Sequence, residues 1–334
     1  MNQINHISAD PRIGLVDGWQ RDFPLYPRPY ARIGQSAGLT EGEVIATLRE
    51  LAEEGLLARV GATVKPNTAG VSTLAAMAVP AARLEEVATT VNAEWGVNHN
   101  YQREHAINLW FVVTAPDQDA LDATLARVRA RTGIDIIDLP LERAYHIDLG
   151  FSLTGTGDKR RDCAIRPAEW TPDDASRRLL AAIEDGLPLS CRPFADVGRR
   201  LGWSEADVLT RLGRLVEAGI VSRLGCILRH RALGFTANAM VAWDVADDRV
   251  EAVGIEVARQ PKVTLCYRRT RRPPVWPYNL FAMIHGRERA GVERRIRDIS
   301  AAAGLSDAEP AILFSRRCFK QRGARYSAPR AEVA

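Results

Sequence analysis

Residues 38–61 read GLTEGEVIATLRELAEEGLLARVG, and residues 202–225 read GWSEADVLTRLGRLVEAGIVSRLG. The two align without a gap at a constant offset of 164 residues, so the chain carries one plan twice. In each copy a hydroxyl residue, Thr40 or Ser204, precedes an acidic residue three places on, the arrangement that satisfies free N–H groups at a helix start. Apolar side chains then recur at three- and four-residue spacing, as at Val44, Leu48 and Leu51. Each copy stops at a glycine, Gly55 or Gly219, suited to the left-handed backbone of a helix end. Shorter helical pieces precede both, at 30–37 and 194–201. The pattern predicts a helix-turn-helix followed by a short two-stranded wing in each half.

Beyond each wing a second pattern is also duplicated. STLAAMAVP, a helical AARLEEVATTVNAEW, VNHNYQRE, INLWFVVTAP, a helical DQDALDATLARVRART and IDIIDLPLERAYH spell βαββαβ in the first half. The second half repeats the order from TANAMVAWDV to AILFSRRCFK. This is the ferredoxin-like plan, in which two helices cover one face of a four-stranded sheet and leave the other face needing a partner. The expected class is α+β. Its expected domains are a helix-turn-helix at 10–66, a ferredoxin-like domain at 70–153, a Gly-, Pro- and charge-rich linker at 154–174, a second helix-turn-helix at 175–233 and a second ferredoxin-like domain at 234–326.

The bulk figures fit such a protein. Of 334 residues 46% are hydrophobic and 26% charged, ordinary for globular domains. No apolar run approaches the ~18 residues of a membrane helix and the N-terminus has no apolar leader segment, so a cytoplasmic protein without a membrane partner is expected. The five cysteines are odd in number and none is spaced as CxxC, which points to idle or buried thiols rather than disulfides or zinc. The net charge of +4 is modest, but arginines crowd CYRRTRRPP (266–274) and SRRCFKQRGAR (315–325), which would attract an anionic partner.

A winged helix-turn-helix followed by a ferredoxin-like module resembles the Lrp/AsnC family, whose regulators pair these modules between subunits. Here the two halves of one chain would pair with each other, with a further homodimer open. The resemblance raises a DNA-binding regulator as one reading. The recognition helices argue against nucleic acid: residues 41–54 contain five glutamates against Arg49 alone, and 204–218 carry Glu205, Asp207 and Glu217 against Arg211 and Arg214. A helix meeting phosphates needs positive charge.

The stretch NYQREHAINLWFVV (100–113) is the anomaly. Along an extended chain His99, Tyr101, Arg103 and His105 project to one side, and Asn98, Asn100, Gln102 and Glu104 to the other. Neither side is apolar, so the strand is expected at a sheet edge facing water or in the wall of a polar cavity. In the second half Tyr267 and Arg269 stand at an offset of 166 from Tyr101 and Arg103, Leu265 stands where His99 does, and Asn279 aligns with Asn108 after a five-residue insertion.

HNYQREHAINLWFVV, CYRRTRRPPVWPYNLFAMIHG and AYHIDLGF closely resemble the siroheme decarboxylases, Lrp-like proteins of heme d1 synthesis. The likeness covers nearly the whole chain, NirD-like in its first half and NirL-like in its second, as in the fused NirDL type. It implies loss of CO2 from two acetate side chains of siroheme to give 12,18-didecarboxysiroheme, with no separate cofactor because the substrate carries its own iron. The two sheets would pack on each other and enclose the tetrapyrrole.

The residues suit that chemistry. A macrocycle bearing eight carboxylates needs guanidinium groups at its rim, for which Arg103, Arg268, Arg269 and Arg272 are candidates. Its flat apolar faces need aromatic surface, for which Tyr101, Trp110, Tyr267, Trp276 and Tyr278 are candidates, with Asn108 and Asn279 as further substrate contacts or as order at the strand ends. The carbon that loses CO2 must gain a proton, and imidazole titrates in the right range. His105 is the expected donor, Arg103 the holder of the departing carboxylate, and His146 the second acid/base candidate. His99 and His285 could contact substrate or its iron, or serve structure. A non-catalytic heme or siroheme sensor would need the same pocket without the chemistry.

Overall fold

Thr40 accepts a hydrogen bond from the Glu43 N–H at 3.3 Å while the Glu43 carboxylate accepts one from the Thr40 N–H at 2.7 Å, and Ser204 and Asp207 make the same reciprocal pair. These capping boxes start the helices that the duplicated stretch predicts, and Gly55 (φ +75°) and Gly219 (φ +69°) follow their ends in left-handed backbone. The computed structural model describes residues 10–147, 150 and 172–325. The expected linker lies outside them apart from 172–174, as do residues 148, 149 and 151 of AYHIDLGF. The chain forms two units, one of Met1–Ala69 with Ser152–Gly234 and one of Gly70–Phe151 with Phe235–Ala334.

In the first unit α1 (Pro11–Gly18), α2 (Pro29–Ala37) and α3 (Glu41–Glu53) precede strand β1 (Leu57–Val64). In the second half α6 (Asp174–Ala182), α7 (Pro193–Leu201) and α8 (Glu205–Glu217) precede β6 (Val221–Leu228). The leading helices α1 and α6 add to the expected pairs. The wings differ from expectation. Each half supplies one strand, and β1 pairs antiparallel with β6, with Gly61 opposite Gly225. A two-stranded wing within each half would leave two small ribbons with open edges, whereas the duplicated chain brings its own partner strand. Gly225 is required there because the Trp19–Gln20 backbone crosses where its Cβ would stand, and the Cys226 N–H bonds to the Trp19 carbonyl at 2.8 Å. The acidic starts of α3 and α8 are used internally: Glu41 pairs with Arg28 and Glu205 with Arg192.

The second unit follows the βαββαβ order twice: β2 (Val71–Met77), α4 (Leu84–Ala93), β3 (Val97–Arg103), β4 (Leu109–Ala115), α5 (Gln118–Thr132) and β5 (Ile137–Ile147), then β7 (Ala237–Trp243), α9 (Val250–Arg259), β8 (Val263–Arg269), β9 (Leu280–Gly286), α10 (Arg289–Ala302) and β10 (Ala311–Gln321). The expectation of two separate sheets packed face to face is corrected. All eight strands close into one barrel in the order β10-β3-β4-β2-β5-β8-β9-β7. The long last strand of each repeat makes the closure. β5 pairs with β2 of its own half over residues 137–140 and with β8 of the other half over 141–147. β10 does the same, with β7 over 311–314 and with β3 over 315–321. β3 is therefore flanked by β4 and β10 and is not an edge strand.

Closure leaves the unit with three cores. One joins the first sheet to α4 and α5, through residues such as Val87, Val91, Phe111 and Val128. A second joins the other sheet to α9 and α10, through Val253, Val257, Ile284 and Ile296. The third draws on both halves, with Leu74, Trp110, Leu139, Met240, Trp276, Phe281 and Leu313.

Candidate active site

Alternation along β3 decides where its polar side chains go. Asn100 turns to the helical layer, where its amide N–H donates to the Ala88 carbonyl at 3.3 Å and to Asn92 Oδ1 at 3.0 Å. Tyr101 and Arg103 engage groups of the barrel core instead, Arg103 stacking over the Tyr101 ring with 5.4 Å to its centroid. His99, beyond a bulge next to Val97, stacks on Tyr101 at 6.3 Å. The polar alternation is thus explained by a strand with one face under a helix and the other turned to the barrel interior.

Arg103 is only 7% exposed. Its Nη1 donates to the Leu313 carbonyl at 3.2 Å and to Ser315 Oγ at 3.0 Å on the facing β10, Nη2 lies 3.9 Å from Met283 Sδ, and Nε is buried without an acceptor. No carboxylate pairs with it among the described residues, and burial holds the guanidinium down to about 10. Arg269, 9% exposed, repeats the arrangement. Its Nη1 donates to the Leu139 carbonyl at 2.8 Å, its guanidinium lies 5.2 Å from the Tyr267 centroid, Nε is again buried without an acceptor, and burial brings it to about 10. Asp138 attracts Arg269 only from beyond ion-pair distance. Burial pushes the Tyr267 hydroxyl up to about 12, so it remains a neutral donor. An unpaired buried cation costs several kcal/mol, which a chain tolerates where an anion is to be received.

The other arginines have partners. Arg268 pairs with Glu142 at 2.7 Å and with Asp247 at 3.3 Å. Arg272 forms a two-way backbone bridge with Trp276, both N–H···O distances being 2.7 Å, and its Nη1 donates to the Arg271 carbonyl. The four candidates thus stand in different settings: Arg103 and Arg269 are buried, while Arg268 and Arg272 are half-buried, Arg268 between two carboxylates and Arg272 bonded through Nη1 to a backbone carbonyl. Asn108 and Asn279 are occupied as well. Asn108 brackets Val79 by bonding both its N–H and its carbonyl, at 2.9 and 2.8 Å, and Asn279 brackets Val245 in the same way, at 3.0 and 2.9 Å.

The second-half insertion turns back into the molecule. Trp276 at its base is fully buried, with ring centroids 4.9 Å from Trp110, 4.9 Å from Tyr278, 6.1 Å from Phe281 and 5.5 Å from His105. The Trp110 indole N–H donates to the Ile107 carbonyl at 2.7 Å. These aromatics are interior packing of the barrel, while Val275 at the tip of the insertion is exposed.

The histidines separate. His105 lies past the end of β3 in an exposed hairpin, edge-on to Trp276, and its Nδ1 accepts the Ile107 N–H at 3.0 Å. The neutral ring therefore carries its proton on Nε2, and burial against the hairpin lowers its affinity for a second one. His146, half-buried on β5, stands opposite Cys266 of β8. His285 on β9 has its Nδ1 2.7 Å from Asn238 Oδ1, and burial, with repulsion from Arg103, lowers it to about 4. His285, Asn238, Met283 and Ser315 therefore gather around Arg103 from three other strands. Sequence reading left His285 open and did not single out the rest. The available signal was inward alternation on β7 and β9, in ANAMVAW and FAMIHG.

A family model described as "AsnC-like ligand binding domain" matches residues 68–146 and 232–320, and one described as "Siroheme decarboxylase NirDL-like HTH domain" matches 14–57 and 176–221. The siroheme decarboxylase NirDL subunit of Paracoccus denitrificans is 49% identical over 94% of this chain and 97% of its own. The chain belongs to the siroheme decarboxylase NirDL family. A siroheme decarboxylase of Hydrogenobacter thermophilus is 33% identical over 92% of both chains. A crystal structure of siroheme decarboxylase NirDL in complex with an iron-uroporphyrin III analogue superposes with a TM-score of 0.67 at 30% identity, covering 96% of this chain and 94% of the other. In this member of the siroheme decarboxylase family, the ligand-binding model falls on the barrel unit and the helix-turn-helix model on the unit with the acidic helices. No helix among the described residues is long and apolar enough to cross a membrane.

Proposed function

We propose that the chain converts siroheme to 12,18-didecarboxysiroheme, releasing two acetate carboxyls as CO2, in heme d1 biosynthesis. The observation that carries the reading is the pair of buried guanidinium groups, Arg103 and Arg269, for which the described chain supplies no carboxylate at ion-pair distance. Siroheme brings carboxylates of its own, and each Arg–carboxylate contact would exchange an uncompensated buried charge for a charge-assisted pair.

The chemistry asked of the protein is modest. A carboxylate is held, its C–C bond breaks heterolytically, CO2 leaves, and the electron pair enters the conjugated macrocycle. A proton then completes the new methyl group. The iron is part of the substrate and no second cofactor is required. Arg103 and Arg269 hold carboxylates, while Tyr101 and Tyr267 line the same inward faces. His105 acts as the acid in its imidazolium form, reached when Nδ1 releases the Ile107 N–H and takes a proton from solvent at the exposed hairpin; it then delivers the Nε2 proton and returns to the neutral ring, and His146 is the second acid/base group. Arg268, Arg272, Asn108, Asn279, Trp110, Trp276 and Tyr278 shape and brace the site. The two barrel halves partner each other within the chain.

The test is anaerobic incubation with siroheme followed by mass analysis of the extracted tetrapyrrole. Loss of two CO2 is expected. An unchanged tetrapyrrole that nevertheless binds would leave a sensor, and a gel shift with sequence-specific retention would return the regulator reading.

A further inference from the structure

His285 does not set its own tautomer. Asn238, two strand positions into β7 and directly opposite His285 in the β7–β9 register, has its amide N–H2 committed to the Phe235 carbonyl at 2.8 Å. That bond fixes which end of the amide is oxygen, so Oδ1 faces His285 Nδ1 at 2.7 Å as an acceptor. A ring nitrogen opposite an acceptor must carry the proton. The neutral imidazole is thereby held as Nδ1–H with its lone pair on Nε2. In the first half the aligned inward positions are Ser72 and Thr114, so the device exists once in the barrel.

We propose that Asn238 is a positioning residue that locks His285 in the Nδ1–H tautomer, presenting Nε2 as an electron-pair donor beside Arg103, toward the tetrapyrrole. The inference rests on the reading that the Arg103 surroundings receive the substrate. Burial, and the positive charge of Arg103 beside it, oppose protonation of His285, which keeps Nε2 unprotonated. An imidazole in this state accepts a hydrogen bond or ligates iron. It does not act as an acid. The division of labour follows: protons come from elsewhere, and His285 binds. Ligating histidines are commonly oriented by a partner on the second nitrogen, and loss of that partner costs about 10- to 100-fold in metal affinity.

The experiment has two readouts on the full chain labelled with 15N-histidine. In nitrogen–proton correlation spectra of the unliganded wild type, assigned by loss of signals in His285→Gln, His285 is expected with a protonated Nδ1 and a bare Nε2. Asn238→Leu should shift it toward Nε2–H, and Asn238→Asp, which keeps an acceptor, should restore the wild-type pattern. Titration with iron-uroporphyrin III should show about tenfold weaker binding for Asn238→Leu and little loss for Asn238→Asp. A bare Nδ1 in the wild type, or a tautomer unchanged in Asn238→Leu, overturns the lock. A changed tautomer with unchanged porphyrin affinity overturns the electron-pair role. If wild type itself fails to bind iron-uroporphyrin III while the tautomer pattern holds, it is the site reading that fails. Asn238→Ala, which also lacks an acceptor, serves in place of Leu should the latter not fold.

Discussion

Replacing Arg103 by methionine separates a binding residue from a structural one, because the two roles predict different pairings of stability and affinity. Burial that brings this guanidinium down to about 10 corresponds to roughly 3 kcal/mol of destabilisation at neutral pH, since the arginine is charged in both folded and unfolded chains there. The sign follows from the direction of the shift. The penalty is complete at pH values below 10 and is relieved only as pH rises beyond it. Methionine removes the penalty and keeps the aliphatic volume among Met283, Tyr101 and Leu313. It forfeits the bonds from the charged Nη1 to the Leu313 carbonyl and Ser315 Oγ, about 1.5 kcal/mol each. The two contributions nearly cancel, so the net expectation is a variant within about 1 kcal/mol of wild type, with Tm little changed. Ligand binding, by contrast, should fall. Loss of one charge-assisted, two-pronged carboxylate contact of about 3 kcal/mol weakens iron-uroporphyrin III binding by roughly a hundredfold. Thermal unfolding and an absorbance titration on the same preparation give both numbers. A variant destabilised by several kcal/mol with unchanged affinity would refute the argument and make Arg103 a bracket for β10.

Further outcomes can be checked with the same preparations. His105→Ala should retain iron-uroporphyrin III affinity within about threefold while two-step CO2 loss from siroheme falls by 10²-fold or more, measured by single-turnover mass analysis. Trp276→Ala empties the centre of the aromatic cluster and should cost about 3–5 kcal/mol in urea unfolding, far more than a substitution at the exposed Val275. The low proton affinity of His285 predicts acid sensitivity. Between an unfolded value of about 6.5 and the folded value of about 4 the unfolded chain binds the extra proton, so stability falls as pH drops through that window. His285→Gln should flatten that part of the pH–Tm profile, and an identical slope in the variant would show that other groups carry it.

Much of the architecture is local and therefore legible along the chain. The capping boxes at Thr40 and Ser204, the apolar spacing through Val44, Leu48 and Leu51, the left-handed glycines and the βαββαβ order all depend on neighbours within a few residues. The duplication added that each half must find a partner. The reading of acidic recognition helices also needed only composition, and the ion pairs Arg28–Glu41 and Arg192–Glu205 give it a structural use.

Pairing of strands far apart in sequence was not legible, because edge hydrogen bonds are made by backbone and carry no side-chain signature. Nothing in LLARVG announces that β1 will find β6, and nothing in IDLPLERAYHI or AILFSRRCFKQ states that one strand serves two sheets. That switch closes the barrel, turns Tyr101, Arg103 and Arg269 from edge residues into interior ones, and spends Arg268 on Glu142 and Asp247. The composition alone specified which chemical groups the chain owns. Long-range closure decided which charges are left buried without a counter-ion, since only a folded barrel can remove water from a guanidinium while withholding a carboxylate.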